Sequence, residues 1–339
     1  MPKSNETTAR PVLPVVLIAV GLLWLLLQIG FVPPGLASAL GRWWPLLLVG
    51  GGLDLLYPAR RPAKVPFVAF AAALVLLLGL FMPRTAYSSD RQVREPLPQD
   101  ARSVHADITT SHQPTTITTA SDPLSLIEAE FIGAGPGIVT TTGNRDARIT
   151  VKPQRGGLPF SGPGRWDLSL PASLPMSLTV DSGSGAMRLE LDRASLSNLE
   201  LAGGSGSLTA DLPGNGASYR AEIDGGSGAL SVALAPGASV DLEAEFGSGS
   251  GNIFVGEGSD VRLELRTNSG SVSLDLPDGA PIRLEVRDEG SGRLRIPGFL
   301  TRRSGSGETG VWESASYSGG GRVIDVVIRD VGSGAITIR

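Results

Sequence analysis

The sequence predicts an N-terminal α-helical membrane module followed by an all-β domain, the latter a β-solenoid of about 21-residue two-strand coils. Three observations carry this. Long apolar runs are confined to the first 83 residues. Beyond residue 100 the only periodicity is strict alternation of apolar and polar residues, the pattern of strands with one buried and one wet face. Ser-Gly pairs recur there at Ser184, Ser205, Ser227, Ser250, Ser269, Ser291 and Ser333, with spacings of 21, 22, 23, 19, 22 and 42 residues. A fixed period of this length marks a repeat architecture.

The membrane module spans residues 1–83, with apolar runs at about 13–32, 36–57 and 65–82. The first, some 20 residues long, is long enough to span a bilayer. The second reaches spanning length only if it carries Arg42, with Trp43 and Trp44 at the interface. Lys3, Arg10, Arg60, Arg61 and Lys64 lie on one side of these runs, against Arg42 and Arg84 on the other. That bias places the N-terminus and middle loop in the cytoplasm, and three crossings place the rest outside. With two crossings the β domain falls inside. Ala37-Ser38-Ala39 resembles a signal cleavage site, but the apolar run is too long for a signal core. Asp54, the one acid within the runs, reads as an interfacial partner of the Arg60–Arg61 loop.

Residues 84–100, polar and holding Pro96 and Pro98, read as a juxtamembrane linker. Residues 101–180 read as an irregular β region or cap, with strands near Leu124–Phe131, Ala147–Val151 and Trp166–Leu170. Residues 181–339 read as the repetitive solenoid. Each coil comprises a Ser-Gly turn, a strand, a Pro-Gly type turn (Leu212-Pro213-Gly214, Ala235-Pro236-Gly237, Leu276-Pro277-Asp278-Gly279) and a second strand. An antiparallel β-sandwich is the alternative. It gives no reason for every other turn to be alike, whereas a two-sided solenoid stacks one turn type on each edge. Seven or eight such coils after Asp181, stacked at ~4.8 Å, form a rod of roughly 35–40 Å. The final Gly332–Arg339 strand is expected to leave an open edge, a surface for end-to-end contact with a second copy or a partner.

Charge and composition narrow the function classes. The chain has 29 Lys+Arg against 33 Asp+Glu, so no basic surface invites nucleic acid. It has no Cys and two His, which excludes thiolate chemistry and multi-histidine metal sites. Four aspartates, Asp181, Asp224, Asp288 and Asp330, stand three residues before a turn Ser. Stacked carboxylates of this kind can hold cations or cap turns. Ala202, Gly247 and Arg266 interrupt the series, which favours capping. His105 and His112 lack a carboxylate-rich neighbourhood, and Glu128 and Glu130 read as a wet strand face rather than an acid pair. The Gly-Ser-Gly triplets precede no helix, so they are neither nucleophile elbows nor phosphate loops. Asn5-Glu6-Thr7 matches a glycosylation triplet but falls in the cytoplasmic tail. No catalytic, cofactor-binding or metal-binding residue and no cofactor is assigned, and no enzyme is expected.

The Trp43-Trp44-Pro45-Leu46-Leu47-Leu48 segment within its apolar, Gly-rich surroundings resembles the LiaI/LiaF-like transmembrane region. The Gly-Ser-rich β-repeats resemble the toastrack candidate-adhesin domains of bacterial envelope proteins. The resemblance rests on pattern rather than on an exact motif, and supplies no catalytic residues. It implies a non-enzymatic, multi-pass membrane protein that senses or transmits cell-envelope stress to a membrane sensor kinase or another envelope protein. The alternative is a surface adhesin or structural spacer.

Overall fold

The computed structural model describes residues 90–133, 137–154, 164–288, 290–318 and 320–339. The expected membrane module, with Asp54, the Trp43-Trp44 pair and the Asn5 triplet, lies outside the described residues. Among the described residues no helix is long and apolar enough to cross a membrane. They form twenty-three strands in two sheets and no helix.

In chain order the strands of the N-terminal part are β1 (Arg91–Pro96), β2 (Ser103–Thr109), β3 (Thr115–Thr119), β4 (Ser125–Ile132), β5 (Gly137–Thr142), β6 (Asp146–Pro153) and β7 (Arg165–Leu170). The repetitive part follows with β8 (Met176–Asp181), β9 (Met187–Glu190), β10 (Leu196–Ala202), β11 (Leu208–Leu212), β12 (Ser218–Asp224), β13 (Ala229–Leu234), β14 (Ser239–Phe246), β15 (Ser250–Val255), β16 (Asp260–Thr267) and β17 (Ser271–Asp275). The last elements are β18 (Ile282–Val286), β19 (Arg293–Arg295), β20 (Leu300–Ser306), β21 (Thr309–Ser314), β22 (Ile324–Asp330) and β23 (Ala335–Ile338).

From β8 to β17, consecutive strands fall in opposite sheets and pair in parallel with the strand two places along. This is a two-sided solenoid; in the antiparallel sandwich, sequential strands would pair as hairpins. From β10 to β17 registers advance by one coil without slippage: Ala221 faces Leu242, which faces Leu263. Every such position points inward, so the alternation legible in the sequence becomes continuous stacks of Leu, Val, Ile and Ala between the sheets. Seven coils lie in the region after residue 175, and residues 101–170 supply two more, β2 with β3 and β6 with β7.

Both ends depart from sequential winding. The first sheet runs β1-β4-β7-β3-β9-β11-β13-β15-β17-β23-β19, the second β20-β21-β18-β22-β16-β14-β12-β10-β8-β2-β6-β5. The coil β22–β23 therefore lies between β16–β17 and β18–β19, although it comes last in the chain. At the other end β2–β3 lies between β6–β7 and β8–β9. The open edge expected at the C-terminal strand does not exist: β23 is bonded on one side to β17 and on the other to β19. The 42-residue interval between Ser291 and Ser333 is likewise not two coils. It holds β19, then the antiparallel β20–β21 hairpin, which closes on Gly307 and Glu308 and covers β18.

Antiparallel strands close the opposite end too, with β4 and β1 in one sheet and β5 in the other. Strand β1 corrects the reading of residues 84–100 as a linker throughout. Arg91–Pro96 pairs along β4, and Val93 packs against the core. Its polar composition reflects an outermost strand with little to bury. Phe131 and Trp166 meet edge-to-face at 5.2 Å beneath this cap.

Candidate functional site

The turns that made the repeat visible have a steric cause. On the Ser-Gly edge, the backbones of successive turns stack on one another. A Cβ built on Gly228 would lie 1.7 Å from the carbonyl oxygen of Gly206, and one on Gly249 1.7 Å from that of Gly228. The same contact links Gly206 to Gly185, Gly270 to Gly249, Gly334 to Gly270 and Gly292 to Gly334. Only hydrogen fits. This register assigns Ser248-Gly249, not Ser250-Gly251, to the fourth turn, so the first four spacings regularise to 21, 22, 21 and 21. Ser250 opens β15 instead, opposite Ala229 and Ser271.

With that correction the carboxylate position before the turn is Glu245 rather than Gly247, and the column reads Asp181, Ala202, Asp224, Glu245, Arg266, Asp330. Asp224, Asp288 and Asp330 each accept a hydrogen bond from the amide two residues on, at 2.9, 2.9 and 2.7 Å. The donating residues, Gly226, Gly290 and Gly332, are left-handed. These aspartates cap turns, as their spacing suggested. Asp181 makes no such bond. His105 and His112 are exposed and apart, on β2 and in the turn after it. Glu128 bonds Arg94 at 2.8 Å and Glu130 bonds Gln92 at 3.2 Å, on the outside of the cap. Among the described residues no group of three or more His, Asp or Glu is placed to hold a metal ion.

What the sequence did not disclose is how different the two outer faces are. The outer face of the β8–β16 sheet is charged, and many of its charges pair with one another. Glu200, Glu222, Glu243 and Glu264 stand in register on four adjacent strands. Beside them runs Arg220, Asp241, Arg262, Asp325, Arg283, Glu313, alternating in sign at every strand. Arg283 lies 3.0 Å from Asp325 and 2.9 Å from Glu285. Burial raises the Glu264 carboxyl, but Arg329 and Arg262 outweigh it and hold the group below its ordinary value. Hydrogen bonds from Arg287 and then Arg283 lower Glu285 against a smaller burial effect.

The outer face of the other sheet is neutral at its centre. One column runs Thr209, Ser231, Asn252, Ser273, Thr337 across five adjacent strands. The column beside it holds Ala229, Ser250, Ser271 and Ala335. On the other flank Phe254 stands between Ala233 and Asp275, half exposed at 50%. None of these hydroxyl and amide side chains hydrogen-bonds another protein group, and the Ser273 hydroxyl is shielded yet unpartnered. A shallow depression of about 350 Å³ opens between Thr209, Ser231, Ser250 and Asn252. It is shallow because the side chains around it are small. The backbone there is held down by Gly251, whose Cβ would strike the buried Phe246 ring at 2.0 Å.

Comparison with known proteins places part of this architecture. Residues 89–233 match the N-terminal domain of toast_rack, DUF2154. The match runs from the cap into β13 and takes in the inserted β2–β3 coil. Among solved structures, a candidate cell adhesion protein from Clostridium sporogenes aligns at 14% identity and a TM-score of 0.38, over 74% of this chain and 99% of that one. A candidate adhesin from Bacteroides fragilis aligns at 13% identity and a TM-score of 0.38, over 74% and 99%. A candidate lipid-binding protein from Parabacteroides distasonis aligns at 12% and 0.35, over 75% and 98%. No curated protein matches the chain.

Proposed function

We propose that this is a non-enzymatic bacterial envelope protein, anchored in the bilayer by the apolar runs of residues 1–83, whose external solenoid senses or transmits cell-envelope stress to a membrane partner in the manner of LiaF-like regulators. The observation that supports it is the unequal pair of outer faces. One is charged and largely paired within itself; the other presents a ladder of unpaired hydroxyl and amide groups. An extended open face suits contact with an extended partner rather than enclosure of a small substrate. The match of residues 89–233 to toast_rack agrees with a repeat scaffold in that role.

The second reading, a surface adhesin or stiff spacer, draws on the same neutral face and on exposed Phe254. Two measurements separate the readings. Deleting the gene should change the output of a membrane sensor kinase under a cell-wall-active antibiotic if the protein regulates; unchanged output with lost adhesion selects the adhesin. A single Ser227→Cys, on an exposed turn of a cysteine-free chain, should react with a membrane-impermeant maleimide in intact cells. Labelling only after lysis refutes the external placement. End-to-end self-association through the C-terminal end of the solenoid, with β23 interior, has to run through the three-residue β19 and the arginine-bearing β20. Short and charged edge strands oppose such pairing.

A further inference from the structure

We infer that the neutral outer face is a binding surface for an uncharged polysaccharide, the chain lying along the solenoid axis across β11, β13, β15, β17 and β23. The inference deepens the envelope reading by naming the chemistry of the ligand, but its test in solution does not depend on where the protein resides.

The argument begins with what the face lacks. Over the columns led by Thr209 and by Ala229 no side chain is ionisable, while the same coils carry Arg220, Glu222, Asp241 and Glu243 on their opposite side. The neutrality is therefore local to one face, not a property of the composition. Arginines stand only beyond the two ends of the ladder, Arg188 opposite Thr209 and Arg295 opposite Thr337, so an anionic polymer or lipid headgroup finds no counter-ion along its length. A protein partner would need a larger apolar core than one phenyl ring set between Ala233 and Asp275.

What the face offers is complementary to a polyol. Thr209, Ser231 and Asn252 present a hydroxyl or amide at successive strand steps, ~4.8 Å apart, each able to donate and accept. Unlike Arg220 and Glu243 opposite, which pair with each other, they have no protein partners to give up. Phe254, 50% exposed beside Asn252, offers a flat apolar surface against the C–H face of a sugar ring. The 350 Å³ depression next to it is open rather than enclosed, as a polymer passing through requires. A polymer gains from the ladder because each successive unit meets the next rung, so weak contacts sum along one chain.

Native affinity electrophoresis of the full chain in mild detergent tests this, with hydroxyethyl cellulose (β-1,4), laminarin (β-1,3), dextran (α-1,6) and anionic alginate in the gel. Retardation is expected in at least one neutral gel and not in alginate. Phe254→Ala should weaken it about three- to tenfold, in line with the loss of one ring-stacking contact. Ser231→Glu, which places a carboxylate in mid-ladder, should abolish it. Glu222→Gln, on the opposite face, should leave it unchanged. Equal thermal midpoints for the variants show that folding is not the cause. No retardation in any neutral gel overturns the proposal, as does retardation that Phe254→Ala and Ser231→Glu leave intact, or stronger retardation in alginate. Such a failure leaves the kinase and labelling experiments to decide the envelope reading separately.

Discussion

Gly228→Ala probes the stacked-turn edge directly. The added methyl would sit 1.7 Å from the Gly206 carbonyl oxygen and 2.8 Å from its carbon. Both are backbone atoms, so no side chain can swing aside. The strands must separate locally by more than 1 Å, against an overpacking cost of about 1–3 kcal/mol. Separation also stretches two bonds, from the Ser227 and Gly228 amides to the Gly204 carbonyl, now 3.1 and 3.2 Å. Weakening both adds about 1–2 kcal/mol. Against this, alanine restricts the unfolded chain and returns about 0.4–1 kcal/mol. The net is about 2–4 kcal/mol, a fall in midpoint of roughly 4–15 °C for a domain of this size. Two other glycines calibrate the result. Gly216 has φ +79 with nothing within 4 Å, so alanine there meets only left-handed strain of about 1–2 kcal/mol. Gly298 has neither constraint, so Gly298→Ala should be neutral or slightly stabilising. Thermal unfolding of the full chain in detergent, followed by circular dichroism, should rank the losses Gly228, Gly216, Gly298. A Gly228→Ala midpoint at or above that of Gly216→Ala refutes the stacking argument.

Phe246→Ala should cost about 3–5 kcal/mol, being a fully buried ring, whereas Phe254→Ala should cost under about 1 kcal/mol; urea titration of both variants checks this. Gly251→Ala meets Phe246 at 2.0 Å, so combining it with Phe246→Leu should destabilise less than the sum of the two single changes; additivity in a double-mutant cycle refutes the contact. Removing residues 322–339 withdraws β22 and β23 from between strands already in place, so the truncated chain should lose cooperative unfolding and gain protease sensitivity at residues 271–314. Glu264 and Glu285 both lie below their ordinary 4.5, so the stability they contribute is complete above about pH 5 and is lost as pH falls through their lower folded values. The acid-side midpoint of Glu264→Gln should therefore depend less steeply on pH below 4.5 than that of the parent.

The two-sided solenoid was legible because its causes are local and repeated. Alternation along Met187–Leu191 or Val261–Leu265 states which side chains face in, and the Ser-Gly and Pro-Gly turns state where each coil folds back. Turn capping by Asp224, Asp288 and Asp330 is likewise a two-residue interaction, so its signature survives in spacing alone. The count slipped at Ser248 and Ser250 because both are followed by glycine. Only the carbonyl stacked against Gly249 shows which turn is in register.

The inserted coils have no local signature. Nothing in Ile324–Asp330 distinguishes a strand that follows β18 from one that enters between β16 and β18, since apolar alternation serves either neighbour. The choice is made by long-range pairing, which no window of sequence contains. The two unequal faces were hidden for a related reason. Thr209, Ser231, Asn252, Ser273 and Thr337 are separated along the chain by 20 residues or more, and between them come the charged residues of the opposite sheet. Along the chain neutral and charged strands alternate and their composition averages out; stacking at one strand per coil sorts them onto opposite sides of the rod.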